Sequence, residues 1–210
     1  MGEHIVDLDR WPRADQFRFF KGYGKPHYAV TSRVDMTRLL GRSRTAGSSP
    51  YRACLHAIGA GIHAVPELCM RFRGDVVVRH DTVELSMTVP LPDGNFRYAY
   101  VPFMPNRALF DQQAAAIIAQ VAEGGDLNAN SGARDDVAYL SCLPWLDYTS
   151  INNALPGPQD CIPRVSWGKF VEDASGRWSM AMTIEVHHAL VDGRQVGDYF
   201  SAVQATADAD

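Results

Sequence analysis

Hydrophobic and polar residues alternate most regularly near the carboxyl end of the chain. Every second residue from Trp178 to Val186 is apolar, and most of the residues between them are polar. This period of two predicts a strand over 177–188 with one face buried. If the strand continues to its end, His188 extends the buried face and His187 points to the polar face.

A helical period follows this strand. Four apolar residues have the spacing of one helix face: Val196, Tyr199, Phe200 and Val203. We therefore predict a helix over 193–205, preceded by a tight turn that Gly193 permits. A histidine between a strand and a helix is held on rigid supports, which favours a catalytic role. A histidine on an apolar face is more often structural, so the pattern alone leaves both roles open.

The rest of the chain alternates between shorter strands and helices. The pattern predicts helices over 13–22, 36–42, 50–64 and 107–122, and strands over 27–34, 75–79, 82–89, 96–102, 137–143 and 163–171. We expect 75–79 and 82–89 to pair with each other, and 163–171 to form a hairpin with the last strand. The elements interleave irregularly, without a repeat or a change of composition. This predicts one domain, residues 1–210, of α/β (or α+β) class with a mixed sheet.

Composition and charge narrow the function classes. The chain has 210 residues, 46% of them hydrophobic, and a net charge of −4, which argues against nucleic acid or an anionic membrane as partner. No apolar run approaches the ~20 residues that cross a bilayer. The four cysteines show no C-x-x-C spacing, and the first residues lack a signal-peptide pattern. We expect reduced thiols in a cytoplasmic protein.

Seven residues that begin at the end of the predicted strand form a known motif. The stretch from His187 to Gly193 matches the His-His-x-x-x-Asp-Gly signature of the coenzyme A-dependent acyltransferases. Five further motifs follow the order of one family: Trp11-Pro12-Arg13, Thr31–Asp35, Pro66–Leu68, Ser141–Trp145 and Gly168–Phe170. Over roughly residues 9–205 the chain resembles the chloramphenicol acetyltransferase family. The resemblance implies a mixed sheet flanked by helices, and a homotrimer with active sites at the subunit interfaces.

The resemblance also implies a reaction and its residues. Acetyl-CoA serves as co-substrate, and a hydroxyl of a small molecule attacks it directly in a ternary complex. His188 is the general base, and Ser141 stabilises the oxyanion. Ser166 stands where the family has a threonine that acts through a bound water. Asp192 pairs with Arg13 and holds the loop in shape.

The implied binding residues are mostly aromatic, a residue type that is as often part of a core. The acceptor pocket would be lined by Phe19, Phe20, Tyr28, Phe96 and Tyr139, and the coenzyme A channel by Trp145, Lys169 and Phe170. Departures from the family fall in the acceptor region. Tyr139 replaces an asparagine, and 89–96 replaces a conserved family stretch, so an acceptor other than chloramphenicol, such as a natural-product intermediate, stays open.

Three alternatives compete with acyl transfer. Ser141, His188 and Asp192 have the composition of a hydrolase triad, although the chain lacks a Gly-x-Ser-x-Gly elbow. A metal site of His187, His188 and Asp192 is disfavoured because adjacent strand residues face opposite ways, so we predict no metal. A non-catalytic ligand-binding relative would keep the fold without the reaction.

Overall fold

The computed structural model describes residues 2–130, 132 and 134–209. The strands are β1 (Glu3–Ile5), β2 (His27–Asp35), β3 (Met70–Arg73), β4 (Val76–His80), β5 (Glu84–Pro90), β6 (Phe96–Pro102), β7 (Val137–Cys142), β8 (Arg164–Trp167), β9 (Val171–Glu172) and β10 (Trp178–His187). The helices are α1 (Ala14–Phe20), α2 (Thr37–Ala46), α3 (Pro50–Ala64), α4 (Arg107–Glu123) and α5 (Gly193–Asp208), with a 3-10 turn at Pro66–Cys69.

A mixed sheet forms the centre of the molecule. Its strand order is β2-β10-β8-β7-β5-β6, and the short β9 pairs with the start of β10. β10 is antiparallel to both of its neighbours, whereas β7 is parallel to β5 and to β8. A second sheet of order β1-β4-β3 lies outside it. The predicted class and mixed sheet are confirmed.

The apolar residues of β10 pack against helices. Met182 and Ile184 are fully buried, and the Tyr199 hydroxyl of α5 lies 3.3 Å from the Met182 sulfur. α3 packs closely on α5, since a Cβ at Gly61 would lie 2.5 Å from a side-chain carbon of Val203. The helices therefore cover one face of the sheet, and the contact between α3 and α5 is part of the hydrophobic core.

The other face of β10 is polar and also buried. Thr183 and Glu185 lie on this face, with 0% and 4% of their surfaces exposed. The Thr183 hydroxyl shares a 2.7 Å hydrogen bond with the Thr31 hydroxyl of β2. Since both faces are covered, β10 is a central strand whose polar residues need partners inside the protein.

Some expected pairings differ from those in the structure. The prediction that 75–79 and 82–89 pair is wrong: β4 pairs with β1 and β3, whereas β5 joins the central sheet. The strand predicted over 163–171 is two strands, because β8 ends at Trp167 and the chain then leaves the sheet. The hairpin with β10 is confirmed, through β9. β1 and β3 lie outside every predicted strand, as each has only three or four residues.

All four cysteines are unpaired thiols. Cys54 and Cys69 are buried, whereas Cys142 and Cys161 are partly exposed. Burial raises the pKa of the Cys69 thiol to about 11, so it stays protonated near neutral pH. Within the described residues, no helix combines the length and the apolar character that a bilayer crossing needs.

Candidate active site

A tight turn follows the end of β10. The backbone N–H of His188 donates to the Pro26 carbonyl at 2.9 Å, as the chain leaves the strand. The N–H groups of Leu190 and Val191 then both donate to the His187 carbonyl, at 3.0 and 3.1 Å. The predicted order of strand, tight loop and helix is confirmed, and the loop is a single turn.

Asp192 ends this loop by capping α5. Its carboxylate accepts from the Arg194 N–H at 3.0 Å, and its own N–H donates to the Gln195 side chain at 3.1 Å, which is a capping box. Gly193 is the first residue of α5 and is not among the glycines with positive φ. A Cβ there would meet nothing within 4 Å, so the expected special turn at this glycine is absent.

Arg13, near the amino-terminal end of the chain, binds the loop between β10 and α5. Its guanidinium forms an ion pair with the Asp192 carboxylate. The same group donates to the Leu190 carbonyl at 3.2 Å and to the His188 carbonyl at 3.5 Å. Only 8% of Arg13 is exposed, so these acceptors replace the water that the cation has lost. The Arg13–Asp192 pair that the resemblance implies is present.

The His188 ring is held by aromatic packing. It stacks on Phe20 with ring centroids 3.9 Å apart and an interplanar angle of 7°, and the Tyr28 ring lies 4.9 Å away. Its Nδ1 atom is buried and has no hydrogen-bond partner among the described residues. The imidazole is therefore oriented by packing, and Nδ1 makes no hydrogen bond within the described part of the chain. Phe19 packs on the edge of Phe20 but is 62% exposed.

The Tyr28 hydroxyl supports the same loop. It donates to the Val191 carbonyl at 3.3 Å. Burial, together with the nearby Asp192 carboxylate, raises the pKa of Tyr28 to about 12. The phenol is neutral at physiological pH and acts here as a donor.

His187 is a structural residue, and the expectation that His188 is the more deeply buried of the pair is wrong. Only 2% of His187 is exposed. Its Nδ1 accepts from the Ala189 N–H at 3.1 Å, so its Nε2–H donates to the Pro158 carbonyl at 3.0 Å. Burial lowers the pKa of His187 to about 4. The segment around Pro158 covers the polar face of β10, which the alternation of residues does not reveal.

Ser141 and Ser166 lie side by side on neighbouring strands, away from His188. They are register partners between β7 and β8. A cavity of about 390 Å³ opens beside Ser141, and its lining includes Tyr139. Ser166 is 1% exposed, and its hydroxyl donates to the Asn153 side-chain oxygen at 3.4 Å. Ser166 therefore lies beneath the cavity surface, next to Ser141.

The register sets the distance between Ser141 and His188. Ser166 on β8 is opposite Thr183 on β10, and Ser141 on β7 is opposite Ser166. Ser141 is therefore level with Thr183 across the sheet, two strands away. His188 is five residues further along. With ~3.3 Å per residue and ~4.8 Å per strand, the two side chains are roughly 19 Å apart. Within one chain they do not meet. A hydrolase triad is excluded in one chain, also because the Asp192 carboxylate bonds Arg13 and the helix cap.

The three predicted coenzyme A residues come together. Trp145, Lys169 and Phe170 line one largely apolar cavity of about 680 Å³. Cys142, the neighbour of Ser141, also lines it, and Thr88 lines both this cavity and the one beside Ser141. The two cavities therefore adjoin at β5 and β7. A long apolar ligand in one would place its end close to the other.

Phe96 is not part of either cavity. It lies at the start of β6, is 44% exposed, and packs on the edge of Tyr98 at 5.4 Å. Phe96 therefore lines neither cavity of its own chain, and its place in the acceptor pocket stays a prediction. Tyr98, two residues along the same strand, lines the cavity beside Ser141 instead.

Sequence reasoning missed a buried polar network next to Ser166. The backbone N–H and side-chain amide of Asn153 both donate to one oxygen of Glu185, at 2.8 and 2.9 Å. Asn153 and Arg164 line the same cavity as Ser141. Glu185 is the only acidic or basic residue between Trp178 and Val186. This is the signal that points to it, because a charged group in a buried strand must have a partner inside the protein.

Comparison with known proteins agrees with the motifs and the fold. The family model "Chloramphenicol acetyltransferase" matches residues 1–204. A chloramphenicol acetyltransferase of Streptomyces acrimycini is 26% identical over 192 residues, which are 90% of this chain and 86% of the relative. Chloramphenicol acetyltransferase 2 of Escherichia coli is 22% identical over 205 residues, 97% of this chain and 96% of the relative.

Solved structures give the same result. One chloramphenicol acetyltransferase superposes with a TM-score of 0.91 at 25% identity, covering 98% of this chain and 99% of the other. The cubic core of the pyruvate dehydrogenase multienzyme complex shares the fold, with a TM-score of 0.66 at 15% identity over 93% of this chain and 86% of the other. The chain belongs to the chloramphenicol acetyltransferase family.

Proposed function

We propose that the protein transfers an acyl group, acetyl in the simplest case, from acyl-CoA to a hydroxyl of a small molecule. The observation that carries this proposal is the His188 imidazole. It is fixed by Phe20 and by the loop that Arg13 and Asp192 hold, while its Nδ1 has no partner among the described residues. Chloramphenicol, the acceptor in the relatives' names, and a natural-product intermediate are the two candidate acceptors.

The reaction requires a base and an oxyanion donor. His188 takes the proton of the acceptor hydroxyl as its oxygen attacks the thioester carbonyl. The Ser141 hydroxyl donates to the oxyanion of the tetrahedral intermediate, a type of contact worth about 10²–10³ in rate in other enzymes. When the intermediate collapses, the C–S bond breaks and the protonated His188 returns its proton to the thiolate of coenzyme A. Asp192 and Arg13 position the loop and do not touch the reacting atoms.

The separation of Ser141 and His188 requires a second copy of the chain. Residues roughly 19 Å apart cannot act on one carbonyl group. We infer that His188 of one copy faces Ser141 of its neighbour, in a homotrimer with active sites at the interfaces, as the family resemblance implies. A cyclic assembly repeats the same contact and so gives every Ser141 a partner.

The apolar cavity is the proposed channel for the donor. Its walls suit the pantetheine arm of acetyl-CoA, which would bring the thioester to the junction near Thr88 and Ser141. Trp145 and Phe170 supply apolar surface. Lys169 is an exposed residue of the lining, and its ammonium group would pair with a phosphate group of the nucleotide.

Acceptor-dependent thiol release from acetyl-CoA tests the activity. Wild-type protein should release coenzyme A only with an acceptor, and His188→Ala should lower kcat at least ~10²-fold. Release without an acceptor would indicate a thioesterase. No release with any alcohol or amine would indicate a binding protein.

Mixing two inactive variants tests the arrangement of the site. Co-expressed His188→Ala and Ser141→Ala chains should regain activity, because some interfaces then combine an intact His188 with an intact Ser141. With random assembly of a ring, about a quarter of the interfaces are of this kind. Activity of the mixture no higher than that of either variant alone would contradict the shared site.

A further inference from the structure

The cavity beside Ser141 is lined by hydroxyl groups. Five residues supply them: Ser86, Thr88, Tyr98, Tyr139 and Ser141. The hydroxyls of Thr88, Tyr98 and Ser141 make no hydrogen bond to another described residue. All three residues are partly exposed, so their hydroxyls are open to water or to a ligand. A polar guest in this cavity would find hydrogen-bond partners in its wall.

The Tyr139 hydroxyl also has hydrogen-bonding capacity to spare. Its oxygen accepts from the Asn130 side-chain amide at 2.9 Å, which leaves its own proton directed elsewhere. The Arg164 guanidinium lies over the Tyr139 ring, 5.1 Å from its centroid, and forms an ion pair with Asp160. Tyr139 is thus held in place from two sides, and its hydroxyl keeps a proton that it can donate to a ligand.

The lining carries little net charge. Arg164 is the only ionised residue that lines this cavity among the described residues, and Asp160 neutralises it. Only 8% of Arg164 is exposed, and its ion pair with Asp160 further reduces the charge that a ligand would meet. An anionic or cationic acceptor would gain little here, whereas a neutral guest with several hydroxyls would match the lining.

We propose, on the basis of the acyl transfer inferred above, that the acceptor is a neutral, hydroxyl-rich molecule such as a sugar or a glycoside. Each hydroxyl of such a molecule both donates and accepts, so it satisfies the hydroxyl, phenol and amide groups of the wall. A flat aryl group would bury these groups without partners. Each group left unpaired weakens binding by about tenfold.

A pair of acceptors that share an aryl group tests this inference. 4-Nitrophenyl glucoside and 4-nitrobenzyl alcohol differ in the number of hydroxyls, and chloramphenicol serves as a third acceptor. With acetyl-CoA as donor, kcat/KM for the glucoside, or for the best of a panel of hexose and pentose glycosides, should exceed that for both aryl alcohols by at least about tenfold. Higher kcat/KM for an aryl alcohol would overturn the inference.

Two variants on β6 distinguish a residue of the cavity wall from a residue that only supports the fold. Tyr98→Phe removes a hydroxyl from the cavity wall and should lower kcat/KM for glycosides about tenfold, with no loss for aryl alcohols. Tyr100→Phe is the matched control: its hydroxyl donates to the Asn128 carbonyl at 2.8 Å, and it is not part of the lining, so the glycoside preference should stay. Equal effects of the two variants, or no effect of Tyr98→Phe, would overturn the inference.

Binding without acyl donor distinguishes this inference from the transfer reaction. Absence of thiol release with every acceptor would contradict acyl transfer itself. The pocket is then judged by calorimetric titration of the same glycosides into wild type and Tyr98→Phe. Binding that weakens about tenfold in the variant supports a polyol pocket. Tighter binding of the aryl alcohols, or no glycoside binding, refutes it.

Discussion

The Asp192 carboxylate has two structural functions that substitution can separate. It pairs with Arg13, and it accepts the Arg194 N–H as the cap of α5. Asp192→Asn removes the charge and keeps a good capping residue, because asparagine caps about as well as aspartate. Asp192→Ala removes both. Both variants should lower stability and activity together, since the loop that carries His188 loses its anchor.

The expected losses of unfolding free energy follow from how deeply the Arg13–Asp192 ion pair is buried. Breaking a fully buried ion pair costs about 3–5 kcal/mol. The Arg13 side chain is 10% exposed but that of Asp192 is 36% exposed, so the loss is partly compensated by water. We expect Asp192→Asn to lower the free energy of unfolding by about 2 kcal/mol. Asp192→Ala should lose about 1 kcal/mol more, which is the value of the cap.

Urea unfolding and turnover, measured on the same samples, check this prediction. The control is Asp198→Asn, which breaks an exposed ion pair with Arg194 at 4.0 Å in the same helix and should cost less than about 1 kcal/mol. If Asp192→Asn were as stable as Asp198→Asn and still lost its turnover, Asp192 would act in the chemistry and the structural interpretation would be refuted.

Three further predictions concern the buried polar groups and the helix packing. The pKa of His187 is about 4 in the folded protein and near 6.5 in the unfolded chain, so the unfolded chain binds the proton more readily. The free energy of unfolding should therefore fall as the pH drops from about 6.5 towards 4, and urea unfolding of His187→Gln should show a smaller fall. Glu185→Leu leaves two Asn153 donors unpaired and should cost about 1–3 kcal/mol by urea unfolding, whereas Glu185→Gln keeps an acceptor oxygen and should cost less. Gly61→Ala forces α3 from α5 and should lower the Tm, with a loss of about 1–3 kcal/mol, unlike Gly41→Ala, whose Cβ meets nothing within 4 Å.

Elements with a long, regular pattern were predicted well. The strand predicted over 96–102 coincides with β6, and the one predicted over 177–188 differs from β10 by one residue at each end. The predicted pairing of 75–79 with 82–89 was wrong. Strand pairing depends on residues far apart in the chain, and β4 instead finds β1 and β3.

The candidate site likewise has residues that the sequence predicted and residues that it did not. The heptad that ends at Gly193 predicted the loop, and its resemblance to the acyltransferase signature pointed to His188, whose role as general base stays a prediction. The resemblance implied the Arg13–Asp192 pair, which the structure contains. No local pattern pointed to Asn153, because its partner Glu185 is 32 residues away in sequence.

The sequence by itself determined the period of each strand and helix, the loop motif and the family, since all of these depend on neighbouring residues or on residue identity. Only the tertiary structure decided which histidine is buried and how far Ser141 lies from His188. Both depend on the register of β7, β8 and β10 and on the segment that covers them. Contacts between distant parts of the chain arise when the core closes, and they leave no periodic trace in the sequence.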